Sequence, residues 1–174
     1  VEQVVTAKLS DIGGIDYRGA VYGPAKQAFF DEIDLMVFPS QYVHEAEPVT
    51  VIEALARGIP VVATERGCLS TLVPPECGLV VPPCANFVEG AMRQLTTWVD
   101  RPAEYRKAAQ AAAEWAERSH GAALGGADGA PAVSARSLPA EVDVLVFGSG
   151  AGGLTAALVA AAEGLRVLVC EKSE

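Results

Sequence analysis

Short apolar runs alternate with amphipathic stretches across residues 2–118, and this alternation constrains the fold more than any other feature of the chain. Apolar, β-branched runs predict strands over 15–21, 34–38, 59–64 and 78–81. Helical periodicity predicts helices over 24–32, 49–57, 87–99 and 102–118. The punctuation agrees with that division. Pro24 sits in a first helical turn, where its missing N–H costs nothing. Pro39-Ser40 and Pro82-Pro83 stop two strands, and Pro48 and Gly58 open and close the helix between them. Strands separated by helices cannot pair as hairpins. They form a Rossmann-like α/β fold, a parallel sheet with helices on both faces.

The pattern breaks at the end of the last helix. Residues 119–141 are mostly Gly, Ala, Ser and Pro, too poor in large apolar groups to pack, and are expected to be a flexible linker. Apolar structure resumes with a strand over 142–147, a glycine turn, a helix over 152–163 and a strand over 165–170. The expected division is a first domain over 1–118, the linker, and a short separate βαβ unit over 142–174. A βαβ unit of about 30 residues cannot bury its own faces. For a chain of 174 residues, a prior of about 150 per domain allows one domain and a fraction. With Val1 as the first residue, both ends are expected to be cut.

Composition narrows the function classes. A 51% hydrophobic share against 20% charged residues supports a packed core. The net charge of -9, from 22 acidic and 13 basic side chains, opposes a nucleic-acid or anionic-membrane surface. Cys68, Cys77, Cys84 and Cys170 form no C-x-x-C pair and have no zinc-ligand spacing to His44 or His120, so no metal is expected. Isolated thiols without a secretory leader read as reduced, buried cysteines of a cytoplasmic protein. The uncharged run over 144–162 is just long enough to span a bilayer, but its crowded glycines would weaken a spanning helix, and no transmembrane segment is expected.

The first chemically informative stretch comes after the strand that ends at Phe38-Pro39-Ser40. Open α/β sheets bind ligands beyond such carboxyl ends. Pro48 then starts a helix whose first free amides, Val49 to Val51, suit a phosphate. Glu45 precedes that helix mouth and Glu53 lies more than a turn beyond it. Carboxylates beside a phosphate site accept hydrogen bonds from hydroxyl groups, and phosphate with polyhydroxylated arms describes a sugar nucleotide. The competing reading is that Glu47 and Glu53 are solvated acids that merely favour the helix dipole. His44 is an incidental loop residue, and Cys68 has no neighbour that would activate a thiol.

Residues 15–95 resemble the C-terminal, donor-binding domain of retaining nucleotide-sugar glycosyltransferases of the GT-B fold. Glu45 and Glu53 have the E-x7-E spacing of that family. The stretch Glu53-Ala54-Leu55-Ala56-Arg57-Gly58-Ile59-Pro60-Val61 matches its E-A-x-A-x-G-x-P-V signature. The resemblance implies that Glu45 contacts the hydroxyls of the donor sugar and is the catalytic-site carboxylate, and that Glu53 holds the ribose. It also implies that the amides of Thr50 and Val51 hold the diphosphate. The chain departs from the family at Val49-Thr50, where Phe-Gly is common. The family's acceptor domain precedes this stretch, so no sugar transfer is expected of this chain alone.

A second constellation, Gly148-Ser149-Gly150-Ala151-Gly152-Gly153, contains G-x-G-x-x-G between a strand and a helix, with Ala157 and Gly164 at the longer spacing. Gly148 permits the tight turn, Gly150 admits a pyrophosphate, and Gly153 lets helix and strand approach. Glu171, about 20 residues on, is placed to hold a ribose hydroxyl. Residues 142–174 resemble the N-terminal FAD-binding segment of fumarate reductase and ketosteroid dehydrogenase-like flavoproteins, through V-x-G-x-G-A-G-G and the strand ending Val169-Cys170-Glu171-Lys172. FAD is the cofactor this implies, with NAD second, and stable retention of flavin is not expected. The whole is expected to be a nucleotide-sugar donor-binding domain fused to a dinucleotide-binding segment. The alternatives are an FAD-dependent oxidoreductase fragment carrying passenger sequence and a non-catalytic fusion product.

Overall fold

A computed structural model describes residues 15–120, 144–147 and 167–170. In chain order the elements are β1 (Ile15–Tyr17), α1 (Gly23–Asp31), β2 (Met36–Phe38), α2 (Val49–Ala56), β3 (Val61–Thr64), α3 (Leu69–Leu72), β4 (Gly78–Val81), α4 (Phe87–Asp100), α5 (Pro102–His120), β5 (Val144–Phe147) and β6 (Val167–Cys170). Every predicted strand and helix that falls on described residues is present, with ends shifted by a few residues. The one-turn helix α3 has no counterpart among the expected elements, because four residues are too few to show a period. The predicted helix over 152–163 lies outside the described residues.

All the strands run parallel in one sheet of order β1-β6-β5-β2-β3-β4. The α/β reading and the parallel sheet therefore hold. The expectation that the βαβ unit stands separate does not: its two strands lie between β1 and β2 of the first segment. The reason is that a strand of the βαβ unit and a strand edge of the first segment offer the same unpaired N–H and C=O groups. Pairing them satisfies both.

Side chains alternate across the sheet, as the two-residue period of a strand requires. Met36, Val61 and Ala63 enter one buried cluster with Phe29, Phe30, Val51, Leu55 and Leu69. Leu35, Val37 and Val62 enter the other with Ala91, Leu95 and Trp98. Both faces are covered, which is why β3 is buried at all four positions. Helix α5 serves both clusters. Tyr105, Ala108 and Ala109 of its first half join the second, and Ala112 and Ala116 of its second half join the first, against α2. The alanines allow that close approach. Tyr105 anchors the helix by donating its hydroxyl proton to the Asp34 carbonyl at 3.0 Å. Asn86 caps α4 by accepting from the Glu89 amide at 3.3 Å.

Candidate functional site

The site is built at the carboxyl ends of β2 and β3. The chain leaves β2 through Pro39-Ser40, and the exposed Tyr42 and Val43 carry it outward before Glu45 brings it back. Glu45 is half-buried. Its Oε2 accepts from the Ser40 hydroxyl at 2.7 Å, a charge-assisted bond that ties the carboxylate to the end of the strand. Its amide donates to the Tyr42 carbonyl at 3.3 Å. The turn after β3 closes on the same loop. The Cys68 amide donates to the Glu45 carbonyl at 3.2 Å, and the Cys68 thiol donates to the Ala46 carbonyl. Glu65-Arg66-Gly67-Cys68 thus walls the loop that carries Glu45. Gly67, at φ +49°, is indispensable to this contact, because a Cβ there would lie 1.6 Å from the Glu45 carbonyl oxygen.

Helix α2 comes directly after this loop. Pro48 occupies its cap position in extended conformation and provides no side-chain acceptor. The Val51 amide donates to the Pro48 carbonyl at 2.9 Å. The first-turn residues left without a capping group are therefore Val49 and Thr50, not the whole run from Val49 to Val51. The Val51 side chain is fully buried in the core, which fixes the helix end. At the far end the Gly58 amide donates to the Leu55 carbonyl at 2.9 Å, the helix stop expected of that glycine.

Glu53 lies on the side of α2 that meets α1. Its Oε2 is 2.5 Å from Lys26 Nζ, with both side chains largely covered. The same oxygen makes no aligned hydrogen bond with a described residue, so Lys26 answers its charge and leaves acceptor capacity over. Arg57 spans the two helices, donating to the Glu53 carbonyl at 3.0 Å and to the Gln27 side chain while stacking over Phe30. The two acids therefore have distinct settings, Glu45 with Ser40 and Glu53 with Lys26. Sequence reasoning singles out neither partner. Ser40 carries a signal there as the residue ending a strand, whereas Lys26 meets Glu53 only through packing of α1 on α2.

Another polar group stands at this edge. Thr64, the last residue of β3, is 4% exposed and its hydroxyl has no hydrogen-bond partner among the described residues. A buried hydroxyl left so costs about 1–3 kcal/mol, and a ligand or a water is the usual explanation. His44 makes an edge-on contact with Tyr42 and is exposed. The glycines Gly148, Gly150, Gly152 and Gly153, with Glu171, lie outside the described residues.

Of the described cysteines, Cys77 is buried as expected, whereas Cys68 is half-buried because it lies in the turn against Glu45, and Cys84 lies on the surface after β4. Burial, and then the charge of Glu47, raise the Cys68 thiol above its ordinary value. Burial, and then Glu76, raise Cys77 to about 11. Cys84 is exposed. Iodoacetamide at pH 8 is expected to modify Cys84 on the order of tenfold faster than Cys68 or Cys77, since the thiolate is the reactive form. Peptide mass spectrometry would read the order directly, and prior labelling of Cys68 would contradict it.

Among the described residues, no helix is long and apolar enough to cross a membrane, and no cluster of His, Cys, Asp or Glu could hold a metal ion. The uncharged run over 144–162 begins with β5, a strand of the sheet.

A family model described as FAD binding domain matches residues 143–174. No curated protein matches the chain. A second family model, described as glycosyl transferases group 1, matches residues 13–115, which is more than half of the chain and includes β1 to β4, both glutamates and α2. The chain belongs to the glycosyl transferases group 1 family, with an FAD-binding family segment joined to it.

Proposed function

We propose that residues 1–118 form the nucleotide-sugar donor-binding half of a GT-B glycosyltransferase. The observation that carries this reading is the tether of Glu45 to Ser40 at the carboxyl end of β2, immediately before the uncapped amino end of α2. A diphosphate lies against that end at the Thr50 amide, where the helix dipole favours negative charge, the Val51 amide being bonded to the Pro48 carbonyl. Glu45 accepts from hydroxyls of the donor sugar, and Glu53, with acceptor capacity beyond its pairing to Lys26, takes the ribose. The orphan hydroxyl of Thr64 at the same edge adds a group that a ligand would satisfy. In the transfer reaction these groups hold the departing nucleoside diphosphate while positive charge develops on the sugar.

Thermal shift with UDP, GDP and one UDP-hexose tests the reading. A ligand at 100 times its Kd adds about 2.7 kcal/mol to stability, or roughly 5–10 °C for a chain of this size. Glu53→Gln should reduce the shift with nucleoside diphosphate and nucleotide sugar alike, because both carry the ribose. Glu45→Gln should reduce it for the UDP-hexose alone. No shift with any of the three would overturn the proposal.

The FAD-binding match supports a second activity, flavin binding by residues 142–174 through Gly148, Gly150, Gly152, Gly153 and Glu171, with NAD as the second choice. The parallel pairing of β5 with β6, with Phe147 opposite Cys170, is what a βαβ nucleotide unit requires. Bound FAD would supply hydride chemistry, and the chain's part is to hold its pyrophosphate and ribose. Stabilisation by FAD or ADP, lost in Gly150→Val, is the expected result. Indifference to both ligands excludes this activity.

A further inference from the structure

The strands of the FAD-family segment sit within the glycosyltransferase-family sheet, an arrangement that neither family match contains. We infer that the two segments are one cooperative folding unit, in which β5 and β6 supply the central strands of a circularly permuted doubly wound sheet. Three observations converge. First, the spatial order β1-β6-β5-β2-β3-β4, counted from β5 as the first strand, is 3-2-1-4-5-6. That is the order in which dinucleotide-binding sheets are wound, with the ligand crevice where the order reverses. Here the reversal falls between β5 and β2.

Second, the pairing serves the first segment as much as the second. Among the described residues β1 has β6 as its sheet partner, through Ile15 opposite Val167 and Tyr17 opposite Val169. Strand β2 has β5 on the side away from β3, through Met36 opposite Leu145 and Val37 opposite Val146. Without β5 and β6, β1 stands alone and β2 becomes an edge. Third, the contact extends to the core. Val167 is 1% exposed and packs in the cluster formed by Leu35, Val37, Val62, Leu95 and Trp98 of the first segment. A parallel sheet needs both faces covered and its inner strands flanked, and the βαβ segment meets that need.

The arrangement also fixes where the two nucleotide motifs are anchored. Strand β2 ends at Phe38 and parallel β5 at Phe147, so the glutamate loop and the glycine fingerprint both leave the sheet from the same edge, on neighbouring strands. This inference stands whatever ligand the edge binds.

The full chain tests it, because both tryptophans, Trp98 and Trp115, lie in the first segment and one buried reporter substitution lies in the second. Val167→Ala should lower the thermal midpoint read by tryptophan fluorescence by about 5 °C, the effect of a buried methyl pair on a chain of this size. Val167→Asp should lower it further or abolish the transition. Amide exchange at Val62 and Ala63 should speed up in step. The midpoint should not depend on protein concentration, since β5 and β6 come from the same chain. An unchanged tryptophan midpoint in both variants would overturn the inference, because independent segments do not share a transition. A concentration-dependent midpoint together with a dimer on gel filtration would overturn it too, by assigning the two strands to a second copy. Ligand thermal shifts play no part in these readouts, so failure here and failure of the nucleotide-sugar reading are separable.

Discussion

Gly67→Ala is expected to destabilise the chain by about 2–4 kcal/mol and to abolish stabilisation by a nucleotide sugar. Two effects add. The residue has φ +49°, which any Cβ makes unfavourable, and that Cβ would stand 1.6 Å from the Glu45 carbonyl oxygen and 2.6 Å from its carbon. Both of those atoms are backbone, so no side-chain rotation relieves the overlap. The loop over 44–46 and the turn over 65–68 must separate, which breaks the Cys68 to Glu45 hydrogen bond and releases the carboxylate that Ser40 holds. Gly23→Ala is the control. Its φ of +56° is similar, but a Cβ there meets nothing within 4 Å, so its effect is the conformational part alone, about 1 kcal/mol. Urea denaturation of the pair measures the difference. Equal midpoints would mean that the turn after β3 does not close on Glu45.

Gly78→Ala is expected to have the larger effect on stability, about 4 kcal/mol or more, enough to remove the cooperative transition of a marginal domain. The cause is crowding, because Gly78 needs no unusual φ. In the parallel pairing of β3 with β4, Val61 lies opposite Gly78, and an added Cβ would come within 1.9 Å of the Val61 oxygen and 3.0 Å of its nitrogen. Strand β4 would have to leave β3, taking with it the Glu65 to Val81 hydrogen bond that starts the wall of the site. Circular dichroism and solubility report the outcome. A native melting curve would show that the two strands do not approach so closely.

The distribution of features legible in the sequence reflects the range of the forces involved. The strand at Val61–Thr64 and the helix at Val49–Ala56 are legible because proline, glycine and apolar periodicity act within a few residues. The family signature from Glu53 to Val61 is legible for the same reason, since helix, stop and strand are contiguous. Glu45 can be named, but its anchor cannot: the bond to Ser40 depends on how the loop over 41–44 folds back. Lys26 is invisible as the counter-ion of Glu53 because α1 meets α2 only after the sheet has formed. The insertion of β5 and β6 leaves no local trace at all. Val144–Phe147 and Val167–Cys170 are apolar, β-rich runs that would suit the middle of any parallel sheet, and nothing local says which sheet. The glycine-rich stretch ahead of them reads as a divider, but its composition bears on stiffness and is silent on where the later strands pair.

The order of strands in space differs from the order in which a ribosome delivers them. Strands β1 to β4 emerge first, yet β1 and β2 remain unpaired on their facing edges until residue 170 has been synthesised, since Ile15 awaits Val167 and Val37 awaits Val146. At roughly 5–20 residues per second the nascent chain spends several seconds with those edges bare. Such long-range closures are slow, and exposed strand edges recruit other chains. Production of this protein is therefore expected to depend on translation speed and on holding chaperones.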